Sequence, residues 1–493
     1  MPESLKHKTI KGLFWSSVER FSVQGVSFLV MLVVARILSP ADYGLVGMLT
    51  IFTAVAQCLI DSGFGNALIR KQDRTELDYN TVFYFNIVAS VILYIILFAI
   101  APLVAKFYNE PILKDLMRVD SIVLVINSLT AVQGADYTAR LDFKTQARVS
   151  LIAAIVSGIA GIVLALNGFG VWTIVGQSIA SAIISSILLW AFASWYPKLQ
   201  FSWKSFREMF SYGSKLLISG LLNTIYNNIY PLVIGKVFSA STLGYYSRAA
   251  AYSQLPSSNI TSIIQRVTFP VLSKIQDDDE RLRDNYRKLL KMSAFIIFPL
   301  MCLLAGISKP LIIILIGTKW TYCFVLLIPI CFTMMWYPIH AINLNLLQVK
   351  GRSDLFLKIE IVKKILGIIV LFISIPFGIV AMCYAGIASS ILCLAINTYY
   401  TGKIINVGFL RQMKDLRGTL ILSLIVFAVV FMVGNIINNN WLWAIGGTIV
   451  GMSIYIGLST IFHFKELAST KELIKELKNR NSKTTTELTD ENA

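Results

Sequence analysis

Fourteen apolar segments, each 17 to 31 residues long, occupy most of this chain of 493 residues. A helix needs about 20 mostly apolar residues to cross a bilayer, so each segment has roughly the length of one crossing. The segments lie at residues 12–35, 43–69, 80–106, 115–139, 146–166, 169–195, 210–235, 242–272, 289–316, 321–348, 359–375, 378–402, 418–435 and 441–463. The sequence therefore predicts an all-α polytopic membrane protein with about 14 transmembrane helices.

The composition leaves little room for a soluble catalytic domain. Hydrophobic residues make up 56% of the chain and charged residues 14%, against roughly 25% charged residues in soluble proteins. The six cysteines lie in apolar stretches without a CxxC pair, so we expect neither a metal site nor disulfides. The chain contains no GxxxxGKS, HExxH or GxSxG motif. We expect a transporter without a cofactor rather than an enzyme.

The distribution of basic residues predicts the orientation. With a cytoplasmic N-terminus, alternate connections place 33 Lys and Arg residues on the cytoplasmic side and 8 on the external side. Cytoplasmic loops of membrane proteins carry such an excess. We therefore expect both termini in the cytoplasm, and we attribute most of the net charge of +17 to topology and not to a nucleic-acid partner.

A short internal repeat predicts two similar lobes. RILSPADYG, from Arg36 to Gly44, matches KVFSASTLG, from Lys236 to Gly244, at an offset of 200 residues. Both segments follow an outward span and precede an inward one, as in transporters built from parallel repeats. The alternative is that both are ordinary helix-turn signals. The predicted domains are an N-terminal lobe (1–200), a C-terminal lobe (201–405), two further spans (406–464) and a cytoplasmic tail (465–493).

Polar side chains form stripes on spans one, two, seven and eight. Apart from the adjacent Glu19 and Arg20, their spacings of three, four and seven residues place each set on one helix face. The stripes comprise Glu19, Arg20, Gln24 and Ser27; Thr50, Thr53, Gln57 and Asp61; Lys215, Ser219, Asn223 and Asn227; and Arg248, Tyr252, Asn259, Ser262 and Arg266. Ionisable groups within a span usually face a partner or a cavity. We therefore predict a pathway lined by these four helices.

The charged members of the stripes suggest an anion site near the cytoplasmic side. At a rise of 1.5 Å per residue, Arg20, Asp61 and Arg266 each lie about 12 to 14 Å from the cytoplasmic boundary. The arginine fork suits a phosphate or pyrophosphate. The alternatives are a structural ion pair between Arg20 and Asp61, and a Lys215 side chain that extends to the membrane surface.

These arguments divide the candidate residues into two sets. We predict that Glu19 and Asp61 each act in ion pairing or coupling, as carboxylates that can pair with Arg20. The predicted substrate-binding residues are Arg20, Arg266, Lys215, Arg248, Gln24, Gln57, Asn223, Asn227 and Asn259.

Three further residues in the predicted spans are ionisable. His340 is interpreted as a core histidine, with a proton relay as the alternative. We expect Asp120 to be a charge at the membrane boundary and Asp136 to pair with Arg140.

Four segments in this order resemble the polysaccharide-export flippases of the MOP superfamily, of the Wzx type and in particular its colanic-acid-exporter-like branch. The segments are RILSPADYGLVGM (Arg36 to Met48), DSGFGNALIRKQD (Asp61 to Asp73), GFGVWTIV (Gly168 to Val175) and TFPVLSKIQDD (Thr268 to Asp278). The resemblance implies two six-helix lobes around a central cavity and two extra C-terminal helices. Arginines in the first and eighth helices are important in the related lipid II flippases, and Arg20 and Arg266 occupy the matching helices.

The resemblance also implies a substrate and a location. The expected substrate is an undecaprenyl-pyrophosphate-linked oligosaccharide, moved across the bacterial inner membrane by alternating access. The expected partners are this lipid and the bilayer, with the polysaccharide polymerase and chain-length machinery as candidates. The alternatives are a cation-coupled multidrug or small-molecule antiporter of the same superfamily, and a membrane polysaccharide polymerase or ligase.

Overall fold

The computed structural model describes residues 3–61 and 63–468, and the side chains of these residues except at positions 3–14, 16–20, 267 and 435. The side chains of Glu19 and Arg20, and the tail from residue 469, therefore lie outside the described residues. The described residues form nineteen α-helices and no β-strand. The predicted all-α polytopic class is confirmed.

The helices follow one another with short connections. The first ten are α1 (Glu3–Ile37), α2 (Pro40–Asp61), α3 (Phe64–Arg70), α4 (Glu76–Tyr108), α5 (Leu113–Asp120), α6 (Ile122–Ser128), α7 (Ala131–Ala139), α8 (Phe143–Leu166), α9 (Trp172–Ala191) and α10 (Trp203–Val237). The others are α11 (Ala240–Ser273), α12 (Asp279–Gly306), α13 (Ser308–Ile316), α14 (Tyr322–Met334), α15 (Tyr337–Val349), α16 (Ser353–Ser374), α17 (Gly378–Ile405), α18 (Phe409–Ile436) and α19 (Asn440–Ile461).

Nine helical stretches among the described residues are long and apolar enough to cross a membrane. Three of them join two helices each: α2 and α3, α14 and α15, and α16 and α17. The other six are the single helices α4, α8, α9, α12, α18 and α19. α10 and α11 are 35 and 34 residues long but are not among the nine. Their polar stripes lower the mean hydropathy, which agrees with helices that do not face lipid on every side.

The chain divides into two compact units, one up to Ser247 and one from Arg248 onward. In the first unit, α1 packs on α8, α8 on α9, and α2 on α10. In the second unit, α12 packs on α18, α14 on α17, and α16 on α17. The division into lobes at residue 200 stays a prediction.

The two segments of the predicted repeat form corners with the same construction. α1 ends at Ile37 and α2 begins at Pro40, whereas α10 ends at Val237 and α11 begins at Ala240, each 200 residues later. In the first corner the Asp42 amide donates to the Ser39 hydroxyl at 3.3 Å, and the Asp42 carboxylate accepts a hydrogen bond from the Ser39 amide at 2.8 Å. In the second, the Thr242 amide donates to the Ser239 hydroxyl at 3.2 Å. Both corners therefore start a helix with a serine cap.

The two corners also pack against each other through glycine. A Cβ atom on Gly44 would lie 1.7 Å from the carbonyl oxygen of Ala240, and one on Gly244 would lie 1.9 Å from that of Pro40. Each corner therefore rests on the backbone of the other, at a distance that only a residue without a side chain permits.

Spans four and ten are broken, although the sequence predicts each as one continuous segment. In span four, α6 stops at Ser128 and α7 starts at Ala131; in span ten, α14 stops at Met334 and α15 starts at Tyr337. Pro338 lies in the first turn of α15, where it has no amide hydrogen to continue α14. Ser257 compensates for that break by donating a hydrogen bond to the Met334 carbonyl at 2.8 Å. In span four, the Thr130 hydroxyl bonds to the Asn127 carbonyl at 3.2 Å, in competition with the backbone.

A buried polar knot joins α18 to the second unit. The side-chain amide of Gln412 donates to the Tyr286 hydroxyl at 3.1 Å and to the side-chain oxygen Oδ1 of Asn343 at 3.1 Å. It also lies within hydrogen-bonding distance of the Thr401 hydroxyl, at 3.2 Å. One turn later on α18, Asp415 accepts two hydrogen bonds from Arg287, both 2.7 Å long. The first of the two extra spans is thus part of the second unit's core.

Candidate functional site

α2 and α10 flank an open cavity of about 450 Å³ within the first unit, and its wall contains both apolar and polar groups. Its lining comprises Ala54, Gln57, Cys58, Asp61, Gly63, Asn66, Leu216, Leu217, Thr224, Asn227 and Asn228. Three of the predicted site residues, Gln57, Asp61 and Asn227, are in this wall. The structure therefore brings together part of the polar stripe of span two and part of the polar stripe of span seven.

Glycine contacts hold α2 and α10 together on both sides of the cavity. Toward the predicted external end, a Cβ atom on Gly235 would lie 2.9 Å from the Met48 side chain. Toward the predicted cytoplasmic end, a Cβ atom on Gly63 would lie 2.8 Å from the Cα atom of Gly213. Gly63 also has a φ of +72°, which suits a residue without a side chain. Between these contacts the two helices leave room for the cavity.

Hydrogen bonds within each helix orient the polar groups of the cavity. The Gln57 amide donates to Oδ1 of Asp61 at 2.9 Å, across one turn of α2. On α10, the Asn228 amide donates to the Thr224 carbonyl at 2.8 Å. The cavity wall thus contains amide groups, a hydroxyl and a carboxylate in defined positions.

An aromatic and ionic cluster fixes the N-terminal end of α10, which is predicted to be cytoplasmic. Phe64 stacks on Phe206, with ring centroids 5.7 Å apart. Lys71 forms ion pairs with the buried Asp78 at 3.1 Å and with Glu208, on α10, at 3.3 Å. Burial lowers the pKa of Lys71, but the hydrogen bonds to Asp78 and Glu208 outweigh it, so that this pKa lies above its ordinary value. These contacts position the cavity-lining part of α10.

The other predicted residues whose side chains the structure describes are not part of the cavity lining. Asn223 and Lys215 are exposed on α10 and are not part of the cavity lining, and Gln24 is half-buried on α1. In the second unit, Arg248 and Asn259 are half-buried on α11, whereas Arg266 is exposed. The assignment of these residues and of Glu19 and Arg20 to one pathway stays a prediction.

Sequence reasoning missed three polar residues of the cavity. Thr224 and Asn228 lie one position after the predicted residues Asn223 and Asn227. The side of α10 that faces the cavity is therefore rotated by part of a turn relative to the predicted polar face. Asn66 was placed in a continuous second span, but α2 ends at Asp61 and α3 begins at Phe64. The Ser-Gly pair in DSGFG is the signal that could have indicated this break.

Asp136 and His340 have structural partners, whereas the interpretation of the half-buried Asp120 as a boundary charge stays a prediction. Asp136 accepts a hydrogen bond from Nε of Arg140 at 2.9 Å, so the predicted pair is confirmed. His340 lies 3.1 Å from the Ser390 hydroxyl through Nε2 and 3.0 Å from the Asn397 amide through Nδ1. With both ring nitrogens bonded to neutral groups, His340 has the surroundings expected of a core histidine.

Comparison with known proteins identifies the family. Residues 33–325 match the family model described as polysaccharide biosynthesis protein, which is more than half of the chain. The chain belongs to this family. The recognition of Wzx-type proteins from the sequence is confirmed, and the family supports a transporter rather than an enzyme.

Two curated relatives match about three quarters of the chain. The teichuronic acid biosynthesis protein TuaB of Bacillus subtilis (strain 168) is 27% identical over 71% of this chain and 73% of its own length. The lipopolysaccharide biosynthesis protein WzxC of Escherichia coli (strain K12) is 26% identical over 74% of this chain and 75% of its own length.

Solved structures share the fold at low identity. The lipid II flippase MurJ, in an inward closed conformation, aligns with a TM-score of 0.73 at 17% identity, covering 92% of this chain and 99% of MurJ. An inward-facing multidrug resistance transporter of the MOP superfamily aligns with a TM-score of 0.59 at 15% identity, covering 80% of this chain and all of that protein. These likenesses show that the chain shares its fold with the two transporters.

Proposed function

We propose that this protein moves undecaprenyl-pyrophosphate-linked oligosaccharides across the bacterial inner membrane, from the cytoplasmic to the external leaflet, by alternating access. The cavity between α2 and α10 is the observation that carries the proposal, because hydrogen-bonding groups line a space between largely apolar helices. Family membership and the similarity to TuaB, WzxC and the lipid II flippase MurJ support it. The orientation with both termini in the cytoplasm is part of the proposal.

The pyrophosphate group is assigned to the arginines. A head group that leaves water needs fixed positive charge in place of its lost solvation. Arg20 and Arg266 belong to different lobes of the predicted architecture, so an anion bound by both would draw the lobes together. That differential affinity would shift an inward-open state toward an occluded one.

Release requires the contact with the anion to weaken. We assign this step to Asp61 or Glu19, either of which could recapture Arg20. Protonation of the carboxyl group or binding of a cation would then couple release to an ion gradient. In this scheme, Asp61→Asn slows turnover more than it weakens binding.

Deletion of the gene tests the function directly. Mass spectrometry of the lipid fraction should find lipid-linked oligosaccharides that accumulate in the deletion strain and disappear when the gene is restored. Normal levels of these lipids together with normal surface polysaccharide would overturn the proposal.

The second candidate is a cation-coupled multidrug antiporter. The Asp61 carboxylate in the cavity wall favours it, since a carboxylate attracts cationic compounds. Uptake of a radiolabelled cationic dye by proteoliposomes distinguishes the two functions. Proton-driven dye transport without transport of a lipid-linked saccharide would favour the antiporter.

A further inference from the structure

The polar lining of the α2–α10 cavity is almost entirely uncharged. It consists of four carboxamide side chains, one hydroxyl and one carboxylate: Gln57, Asn66, Asn227, Asn228, Thr224 and Asp61. Among the described residues that line the cavity, none is basic. Such a wall offers many neutral hydrogen-bonding groups and one negative charge.

The carboxylate occupies a position that helix stability does not explain. Asp61 is the last residue of α2, where the partial negative charge of the helix C-terminus disfavours an acidic side chain. The Gln57 amide nevertheless holds Oδ1 at 2.9 Å, and Asp61 remains exposed to the cavity. A costly and oriented acidic group in a cavity wall indicates a role in recognition.

The hydrogen-bonding chemistry of the wall fits sugar hydroxyls. Carboxamides donate and accept hydrogen bonds, as do hydroxyls, whereas a carboxylate only accepts them. A sugar hydroxyl or amine can donate to Asp61. An acidic sugar would instead place its own carboxylate near Asp61, with like-charge repulsion that low local polarity strengthens. A volume of about 450 Å³ is within the usual range for small-ligand sites, about 300–1,000 Å³.

We propose that this cavity binds a non-acidic sugar of the carrier-linked oligosaccharide and that Asp61, oriented by Gln57, discriminates against a uronate at that position. The inference rests on the proposed flippase function and specifies its substrate class. It also separates two tasks: the cavity holds the saccharide, and the pyrophosphate is held elsewhere.

Transport by the full chain in proteoliposomes tests the discrimination. The probes are two undecaprenyl-pyrophosphate-linked disaccharides that differ only in whether the outer sugar is glucose or glucuronate. We expect the glucose lipid to be transported at least tenfold faster. Asp61→Asn should slow the turnover of both lipids, as proposed above, but reduce the ratio to less than threefold, because the repulsion of the glucuronate is lost. Asp73→Asn, at an exposed loop position outside the cavity, should leave the ratio unchanged.

Binding to the cavity provides a readout that does not depend on transport. Cys58 lines the cavity, whereas Cys302, Cys323, Cys331 and Cys383 are buried. Its alkylation by a water-soluble thiol reagent can be followed by peptide mass spectrometry. The free glucose-containing disaccharide should slow alkylation at Cys58 at least threefold, and its glucuronate analogue should not. Asp61→Asn should make the two saccharides protect equally.

The outcomes separate this inference from the proposed function. Equal protection of Cys58 by both saccharides, or a transport ratio that Asp61→Asn does not change, would overturn the inference while the flippase function stands. The opposite result is that wild-type protein transports neither lipid while the neutral saccharide selectively protects Cys58. That result would overturn the flippase function and leave the cavity's preference intact.

Discussion

At the scale of single residues, close backbone contacts and fixed charges are the features most sensitive to substitution. Some were predictable from the sequence: Asp136 and Arg140 are four residues apart on one turn and do form a pair. Others were not, because they depend on the tertiary packing of distant segments. The contact of Gly44 with Ala240 joins positions 196 residues apart, and no local pattern reports that distance.

Gly44→Ala is expected to destabilise the protein by about 1–3 kcal/mol, the usual cost of overpacking. The new methyl group would lie 1.7 Å from the Ala240 carbonyl oxygen, so a backbone segment has to move. Thermal unfolding of the purified protein measures the effect. Gly457→Ala is the matched control, since a Cβ atom there meets nothing within 4 Å. Equal unfolding temperatures for both variants would contradict the contact.

Arg266→Ala is expected to abolish surface polysaccharide while protein abundance stays normal, and Arg266→Lys to retain part of the export. Lysine keeps the charge but loses the planar fork that fits a pyrophosphate. Immunoblotting and quantification of surface polysaccharide give the two readouts. Arg281→Ala, at an exposed position before α12's apolar part, serves as the control. Wild-type export by an Arg20→Ala, Arg266→Ala double variant would mean that the anion is held elsewhere.

At the scale of helices, hydrophobic length predicted the elements better than it predicted their continuity. The predicted segment boundaries after residues 166 and 375 coincide with the turn between α8 and α9 and with the one between α16 and α17. The breaks in spans four and ten were not predicted, because a broken span is as apolar as an intact one. The polar stripe on α10 was predicted, but its rotation toward α2 depends on packing at Gly63 and Gly213.

Gln412→Leu is expected to lower the stability of the second unit. The substitution removes the centre of the buried knot and leaves polar groups of Asn343 and Tyr286 without that partner. Each buried polar group that loses its hydrogen bond costs about 1–3 kcal/mol. A decrease in unfolding temperature relative to Gln348→Leu, an exposed glutamine on α15, would confirm that α18 belongs to this core. Full stability would mean that the two extra spans are peripheral.

At the scale of the whole molecule, the orientation in the membrane follows from charge and can be measured by reporter fusions. Fusions after residues 40, 110, 240 and 318 are expected to report an external position, and fusions after 73, 203, 280 and 353 a cytoplasmic one. The reason is that 33 basic residues lie on the predicted cytoplasmic side and 8 on the predicted external side. All eight positions fall at or near helix ends. A cytoplasmic result at residue 240 would contradict both the number of spans and the repeat.

The paired corners at Gly44 and Gly244 have a consequence for how each corner tolerates change. Their contact is isologous in form, since each glycine meets the residue that begins the other corner, and this is the form of contact that two identical subunits make across a two-fold axis. Each glycine therefore limits the backbone of the opposite corner. A substitution at one glycine has no matching change at the other, so the opposite corner has to move to accommodate it.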